Sequence, residues 1–327
     1  MNQNTYHNNP PLTDHSSPIT TSLSPLISIV VTTKNEEKHI KNCLVSIKAQ
    51  TYEHIEIIVV DNDSDDRTKE IACKYTDQVY DKGPERSAQR NYGMIEIAKG
   101  EYVMFVDADM ILSPVLIENC VKYMKNSDDL ALHISEIILG SSYFSRVRRF
   151  ERSFYDGTVI DGARFFQKES FVRVGGFDES MSGPEDWDID KKIKEIGKIG
   201  LLKGALNRID KDWEQKEFVS QRGVNPLKYS NVTFHNESQF SLKQYLEKKG
   251  YYAKSFDTYI EKWGRDDSDI IKQLGLFYRF FCVFIEHGKW KKNIANLHLT
   301  FGMLLLRILV GIKFLFIKIF LNPWHGF

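Results

Sequence analysis

The sequence predicts an α/β domain with a mostly parallel sheet flanked by helices. Three short runs rich in β-branched and aromatic residues, 27–33, 55–60 and 102–106, are typical of buried strands. Between them, apolar residues recur at helical spacing. Strands that alternate with helices of this length imply right-handed βαβ units. The chain of 327 residues is long enough for one such domain and a smaller accessory region.

Each predicted helix of the first half begins at a residue that favours a helix start. These residues are Asn35, Ser64, Pro84 and Pro114, and Gly100 is placed to end the third helix. A short strand is expected near Val79. In the second half the pattern predicts helices at 144–154 and 185–196, a turn at 175–178, a strand at 232–235, and one helix from Ser241 to about Ile260.

Composition excludes some classes of protein. The 44 basic and 44 acidic residues balance, so the overall charge gives no case for nucleic-acid binding. Residues 1–25 are polar and rich in Asn, Ser, Thr and Pro, and are expected to be a disordered leader. The cysteines have no disulfide-type or metal-type spacing, so buried, reduced thiols in a cytosolic setting are expected at Cys43, Cys73, Cys120 and Cys282.

Residues 241–327 are predicted to form a helical, apolar and basic carboxyl-terminal region. From Ile271 onward, Glu286 is the one acid against eight basic residues: Lys272, Arg279, Lys289, Lys291, Lys292, Arg307, Lys313 and Lys318. This combination favours an anionic membrane surface. Within the apolar stretch 294–321, Arg307 and Lys318 share a helix face, which favours interfacial attachment over a span, with Trp324 at headgroup depth. Packing on the α/β domain or on a second subunit is the alternative.

Polar and acidic residues follow the predicted strands where each one ends. Thr32–Thr33, 61–66 and the pair Asp107 and Asp109 all lie at such ends. In parallel sheets ligands bind beyond the carboxyl ends of the strands. Two carboxylates one residue apart offer the hard oxygen ligands that suit Mg²⁺ or Mn²⁺. A solvated acidic turn is the alternative for this Asp-x-Asp motif.

Five segments in order resemble family 2 glycosyltransferases with the GT-A fold. They are residues 31–36 (VTTKNE), 59–64 (VVDNDS), 87–93 (SAQRNYG), 105–109 (FVDAD), and 175–178 (GGFD) followed by 183–188 (GPEDWD). The resemblance covers about residues 26–240 and implies a Rossmann-like, mostly parallel sheet. It also implies a nucleotide-sugar donor and an inverting single displacement.

The resemblance assigns residues to the donor. Thr32, Glu36 and Asp61 would face the nucleoside, and Asp107 and Asp109 would bind the metal and the diphosphate. Arg90 matches the Arg-Asn of the family and would meet the phosphates or the base of the nucleotide. Its neighbour on the same helix face, Arg86, could do the same. A pair of surface arginines is the alternative.

The resemblance also supplies a general base. Asp186 matches the acidic base that takes the proton of the acceptor hydroxyl, with Glu185 beside it positioning the acceptor. Favourable charge in the first turn of a helix is the other interpretation of both acids. His235 follows a predicted strand and would contribute to the metal site, although an ordinary hydrogen-bonded histidine would fit that place as well.

The prediction is therefore a transferase that moves a sugar to a hydroxyl of a glycan or lipid-linked saccharide. Mg²⁺ or Mn²⁺ is its expected cofactor, and its expected location is the cytoplasmic side of a membrane, as a peripheral or monotopic protein. An oligomer is compatible with the sequence. The rivals are a catalytically silent nucleotide-sugar-binding or scaffold protein at the membrane and a glycoside hydrolase with paired carboxylates. No GxGxxG or GxxxxGK[ST] motif follows a predicted strand, which argues against a dehydrogenase or a kinase.

Overall fold

A computed structural model describes residues 24–204, 215–225 and 229–320, with side chains up to residue 316. The expected leader up to residue 23, the side chain of Lys318, and Trp324 lie outside the described residues.

The described residues form a nine-stranded mixed sheet. Its strands are β1 Ile27–Thr33, β2 Ile55–Asp61, β3 Val79–Asp81, β4 Tyr102–Asp107, β5 Met110–Leu112, β6 Asp129–Leu139, β7 Ala163–Gln167, β8 Lys198–Leu202 and β9 Val232–Asn236. The order is β3-β2-β1-β4-β7-β6-β9-β5, and β8 pairs with β6. Strands β1 to β4 pair in parallel, as do β6 with β8 and β6 with β9, whereas β7 runs antiparallel to both of its neighbours.

Helices cover both faces of this sheet and continue beyond it. They are α1 Ile40–Lys48, α2 Thr68–Ala72, α3 Arg86–Asn91, α4 Leu116–Lys125, α5 Tyr143–Arg152, α6 Lys168–Arg173, α7 Glu185–Ile196, α8 Lys216–Ser220, α9 Leu242–Ala253, α10 Phe256–Trp263, α11 Ser268–Leu274, α12 Val283–Ile285, α13 Trp290–Ala295 and α14 Leu297–Phe320. A π-helical turn, Tyr92–Ile97, continues α3, and a second one, Tyr278–Cys282, precedes α12.

Two apolar layers hold the sheet in place. On one face α1 and α4 pack Leu44 and Ile117 against the strands, and on the other α7 packs Ile189 among buried aromatic residues. Parallel strands that are covered on both faces read as continuous apolar runs. This explains why β1, β2 and β4 are the strands that the sequence predicts most clearly.

The structure differs from the sequence-based expectations in several places. Strands β5, β7 and β8 were not predicted, and α1 and α2 have His39 and Arg67 at their N-caps instead of Asn35 and Ser64. The helix expected from Ser241 to Ile260 is two helices, α9 and α10, although Ser241 does cap the first by accepting a hydrogen bond from the Gln244 amide. Cys73 follows the last residue of α2 and is exposed, so the expectation of burial is wrong for this thiol. Strand β6, the longest strand described, was not predicted.

The carboxyl-terminal helix α14 packs on α5, the helix that follows β6, and on α9. Met303 and Leu306 are buried in that contact, and Arg307 is buried beside them with its Nη2 atom 3.0 Å from Glu151 Oε1. Arg307 therefore faces the protein, and the interfacial arrangement deduced from Arg307 and Lys318 is wrong in this respect. One described helix, over residues Leu297–Phe316, is long and apolar enough to cross a membrane.

Candidate functional site

The carboxyl ends of β1, β2 and β4 meet at one edge of the sheet, as the sequence predicts. Thr33 lies opposite Asp61, and Thr32 lies opposite Asp107. The Thr32 hydroxyl donates to Asp107 Oδ1 over 3.2 Å. Thr32 is buried, so its hydroxyl fixes the position of the Asp107 carboxylate. Its side chain does not line an open nucleoside site in this structure.

Strand β5 turns the chain back toward β9 and thereby brings His235 to the second aspartate. Met110 pairs with His235 in the antiparallel ladder, and His235 Nε2 lies 3.2 Å from Asp109 Oδ2. The other ring nitrogen, Nδ1, lies 3.0 Å from Glu136 Oε1. Burial alone would lower the pKa of His235, but Asp109 and Glu136 raise it well above its ordinary value.

Arg90 links the two ends of the candidate site. Its Nη2 donates to Asp107 Oδ1 over 3.1 Å, and its Nη1 donates to Asp186 Oδ1 over 3.0 Å. The guanidinium carbon lies 3.8 Å from the ring centre of Phe105, and Arg90 is only 1% exposed. Arg90 is therefore a buried bridge between two carboxylates, so the alternative of a surface arginine is wrong for it, and its contact with the phosphates or the base of the donor stays a prediction.

Glu185 also differs from its expected role. Its carboxylate is fully buried, 2.6 Å from Arg86 Nε and 3.8 Å from Arg90 Nη1, and it accepts a hydrogen bond from the Gly183 amide. Burial and the charge of Asp186 raise the pKa of Glu185, against the opposing effect of the two arginines. In this position the Glu185 carboxylate holds arginine side chains and has no exposed surface through which to contact an acceptor. Asp186 is different, because its side chain is 34% exposed.

Two further charged residues join the site that sequence analysis did not identify. Arg164, on β7, donates to Glu136 Oε2 over 2.9 Å and places its Nη1 atom 4.0 Å from Asp107 Oδ2. Burial alone would raise the pKa of Asp107, but Arg90 and Arg164 lower it well below its usual range. The sequence feature that could have identified this pair is Glu136, an acid followed directly by three apolar residues in β6.

The two acids expected near the nucleoside are placed differently from each other. Asp61 is fully buried, and its oxygens accept from the Ser64 amide and the Ser64 hydroxyl, both over 2.6 Å. These two hydrogen bonds show that Asp61 stabilises the turn after β2. Glu36 is partly exposed near the site, and burial together with Asp109 and Asp107 raises its pKa to about 7.

The donor atoms at Asp109 and His235 suit a divalent cation. Asp109 Oδ1 is buried and has no hydrogen-bond partner within the described residues. Those residues contain no group of three or more His, Cys, Asp or Glu arranged to hold a metal. A cation at this place would therefore take part of its shell from phosphate oxygens and water, as Mg²⁺ and Mn²⁺ commonly do.

Comparison with known proteins agrees with this geometry. Residues 28–177 match glycosyl transferase family 2. An uncharacterized glycosyltransferase of Rickettsia typhi is 30% identical over 194 residues, which are 54% of this chain and 61% of that protein. An uncharacterized glycosyltransferase of Methanocaldococcus jannaschii is 32% identical over 185 residues, which are 50% of this chain and 63% of that protein. The chain thus spans less than two thirds of the length of these curated relatives.

A solved structure shares the fold. A mannosyltransferase from Pyrobaculum calidifontis, in complex with GDP-Man and Mn²⁺, superposes with a TM-score of 0.57 at 18% identity, covering 91% of this chain and 89% of that one. The family match and this superposition lead to one conclusion: residues 28–177 are similar to glycosyl transferase family 2, and the chain has a fold like that of GT-A glycosyltransferases.

Proposed function

We propose that this protein transfers a sugar from a nucleotide-diphosphate-sugar to a hydroxyl group, with inversion at the anomeric carbon. One observation carries the proposal. The two terminal nitrogens of Arg90 hold Asp107 and Asp186, 3.1 and 3.0 Å away, so the expected diphosphate end and the expected base lie on one guanidinium. A single displacement needs both functions on opposite sides of the same reacting carbon.

In this proposal Asp186 accepts the proton of the acceptor hydroxyl. The hydroxyl oxygen then forms its bond to the anomeric carbon while the bond from that carbon to the diphosphate oxygen breaks. Arg90 Nη1 donates to Asp186 Oδ1 over 3.0 Å and so fixes the orientation of the carboxylate that would act as the base. Since Asp186 is the more exposed of the two acids that open α7, it is the one that an acceptor can reach.

We further propose that Asp107, Asp109 and His235 hold a divalent cation together with the donor diphosphate. A bound Mg²⁺ or Mn²⁺ would offset the negative charge that develops on the departing nucleoside diphosphate. The related mannosyltransferase was solved with GDP-Man and Mn²⁺, which supports this class of donor and cofactor. In our proposal Glu136 orients His235, as a carboxylate behind a metal-binding histidine commonly does.

We propose a glycan or a lipid-linked saccharide as the acceptor, at the cytoplasmic side of a membrane. Support comes from the carboxyl-terminal helices, where large apolar side chains remain exposed; they include Phe277, Phe281, Ile294, Phe301 and Ile312. Exposed apolar area of this extent is typical of a membrane or protein contact. The basic residues around it favour anionic lipid.

A donor screen tests the proposed function. We expect one nucleotide-sugar to raise the melting temperature of the full chain, more with Mn²⁺ than with EDTA, and to be turned over when an acceptor is present. The double variant Asp107→Ala/Asp109→Ala should lose both the Mn²⁺ effect and the turnover while keeping its circular dichroism spectrum. Wild-type activity in that variant would contradict the metal site, and release of free sugar without an acceptor would indicate a hydrolase.

A further inference from the structure

Four cationic side chains gather where the carboxyl-terminal helices meet the catalytic domain. They are Arg148 of α5, Lys249 of α9, Arg279 of the second π-helical turn, and Arg307 of α14, and we refer to them as the cationic cluster. Arg148 and Lys249 lie over the ring of Tyr245 at 4.9 and 5.5 Å. Arg307 Nη1 donates to the carbonyl oxygen of Arg279, which joins α14 to the π-helical turn.

Carboxylates neutralise only part of this cluster. Glu151 lies 2.5 Å from Arg148 Nη1 and 3.0 Å from Arg307 Nη2, and Glu237 lies 3.3 Å from Arg148 Nε. Within the described chain, Lys249 and Arg279 form no ion pair with any carboxylate. When all four side chains are protonated, the cluster carries two more positive charges than the two carboxylates neutralise.

The cluster also has hydrogen-bond donors to spare. Among the described residues, the buried atoms Arg279 Nη1 and Arg307 Nε have no acceptor. Burial, and then Arg148 and Arg279, lower the pKa of Lys249 to about 7. Unpaired cations and unmade hydrogen bonds in a buried place both cost stability, and an anion would remove both costs.

The position of the cluster indicates which anion fits. On one side, Glu237 comes two residues after His235, so the cluster borders the candidate active site. On the other side lie exposed apolar residues of the same elements. Leu276 and Phe277 precede Arg279 and are 71% and 73% exposed, and Leu305 and Ile308 flank Arg307 and are about half exposed.

We propose that the cationic cluster binds the phosphate or diphosphate group of a lipid-linked acceptor, with the hydrocarbon chain of that lipid against the apolar residues beside it. This inference rests on the proposed function, because it names the acceptor class of that same site. Arginine and lysine donors are the usual partners of phosphate oxygens. The donor diphosphate is a separate group, which we place at Asp107 and Asp109.

The test uses the full chain and three kinds of vesicle. Their compositions are phosphatidylcholine alone, phosphatidylcholine with a polyprenyl diphosphate, and phosphatidylcholine with phosphatidylglycerol at matched charge. The variant Lys249→Gln/Arg279→Gln removes the two cations that have no ion pair. The control Lys272→Gln/Lys291→Gln removes two exposed cations from the same region.

We expect the wild-type chain to bind the polyprenyl diphosphate vesicles more tightly than the phosphatidylglycerol vesicles. The cluster variant should lose about tenfold or more of that affinity, as expected for a lost charged hydrogen bond. The control variant should keep it. Equal losses in the two variants, or equal binding to both anionic vesicles, would overturn the proposal in favour of general charge attraction.

Inorganic pyrophosphate with EDTA separates the headgroup from the lipid. It should raise the melting temperature of the wild-type chain and of Asp109→Ala, but not that of the cluster variant. No shift in any of them, or a shift with no preference for the lipid-borne diphosphate, would refute a lipid headgroup site. Donor binding, measured by the screen above, is independent, so failure here leaves the proposed transferase function standing.

Discussion

Replacing Arg90 by lysine tests whether one guanidinium aligns the two ends of the site. The variant keeps the positive charge but has one terminal nitrogen where Arg90 has two, so we expect it to hold only one of Asp107 and Asp186 in its present position. It therefore loses one of two charged hydrogen bonds, worth about 1.5–3 kcal/mol. It also loses much of the stacking on Phe105, worth about 0.5–2 kcal/mol. Together these terms predict a free energy of unfolding lower by about 2–5 kcal/mol.

Catalysis should suffer separately from stability. An aspartate released from its hydrogen bond no longer keeps the orientation that a single displacement needs, so we expect kcat per folded molecule to fall at least about tenfold. The assays are urea unfolding followed by fluorescence and steady-state turnover at a temperature where the variant is folded. The matched control is Arg86→Lys, because Arg86 contacts Glu185 but neither of the other acids. Wild-type kcat in Arg90→Lys would refute the reasoning, and so would an equal loss in the control.

Two further predictions concern the base and the cationic cluster. Asp186→Asn should reduce kcat far more than donor affinity, because in our proposal Asp186 contacts the acceptor and not the donor. A large change in donor affinity measured by titration calorimetry would contradict this. Burial and two neighbouring arginines lower the pKa of Lys249 from its ordinary value of 10.5 to about 7 in the folded chain. Between these two pH values the unfolded chain therefore binds more protons than the folded chain. In phosphate-free buffer the contribution of this lysine should therefore raise the melting temperature as the pH increases from about 7 towards 10.5. Lys249→Gln should show a smaller rise than the wild-type chain, whereas the control Lys272→Gln should show the same rise as the wild-type chain.

The parts of the fold that the sequence predicts are those in which local pattern and burial agree. Strands β1, β2 and β4 are largely buried on both faces and read as nearly continuous apolar runs, with Ser28 and Glu56 as interruptions. Strand β6 carries His133, Ser135 and Glu136 among apolar residues, so neither a continuous run nor a clean alternation identifies it. Its polar side chains are explained only by distant partners such as Asp190 and Arg164.

In the candidate site, too, the contacts that the sequence predicts are those that local pattern and strand order determine. The meeting of Thr32 with Asp107 at one sheet edge was predictable, because parallel strands bring their carboxyl ends together. The task of Glu185 was not, because its partners lie about one hundred residues earlier and no local pattern pairs them. The sequence does not indicate a role for Arg164 for a related reason: its strand, β7, is short and antiparallel to both of its neighbours.

The contact between Arg307 and Glu151 has a geometric consequence for the proposed membrane-bound transferase. It ties the middle of α14 to α5, the helix that follows β6, and β6 carries Glu136 beside the candidate site. A bilayer that received the outer face of α14 would therefore set the height of Asp186 above the lipid headgroups. In that arrangement the protein would select acceptors by the distance between their terminal hydroxyl and the bilayer surface.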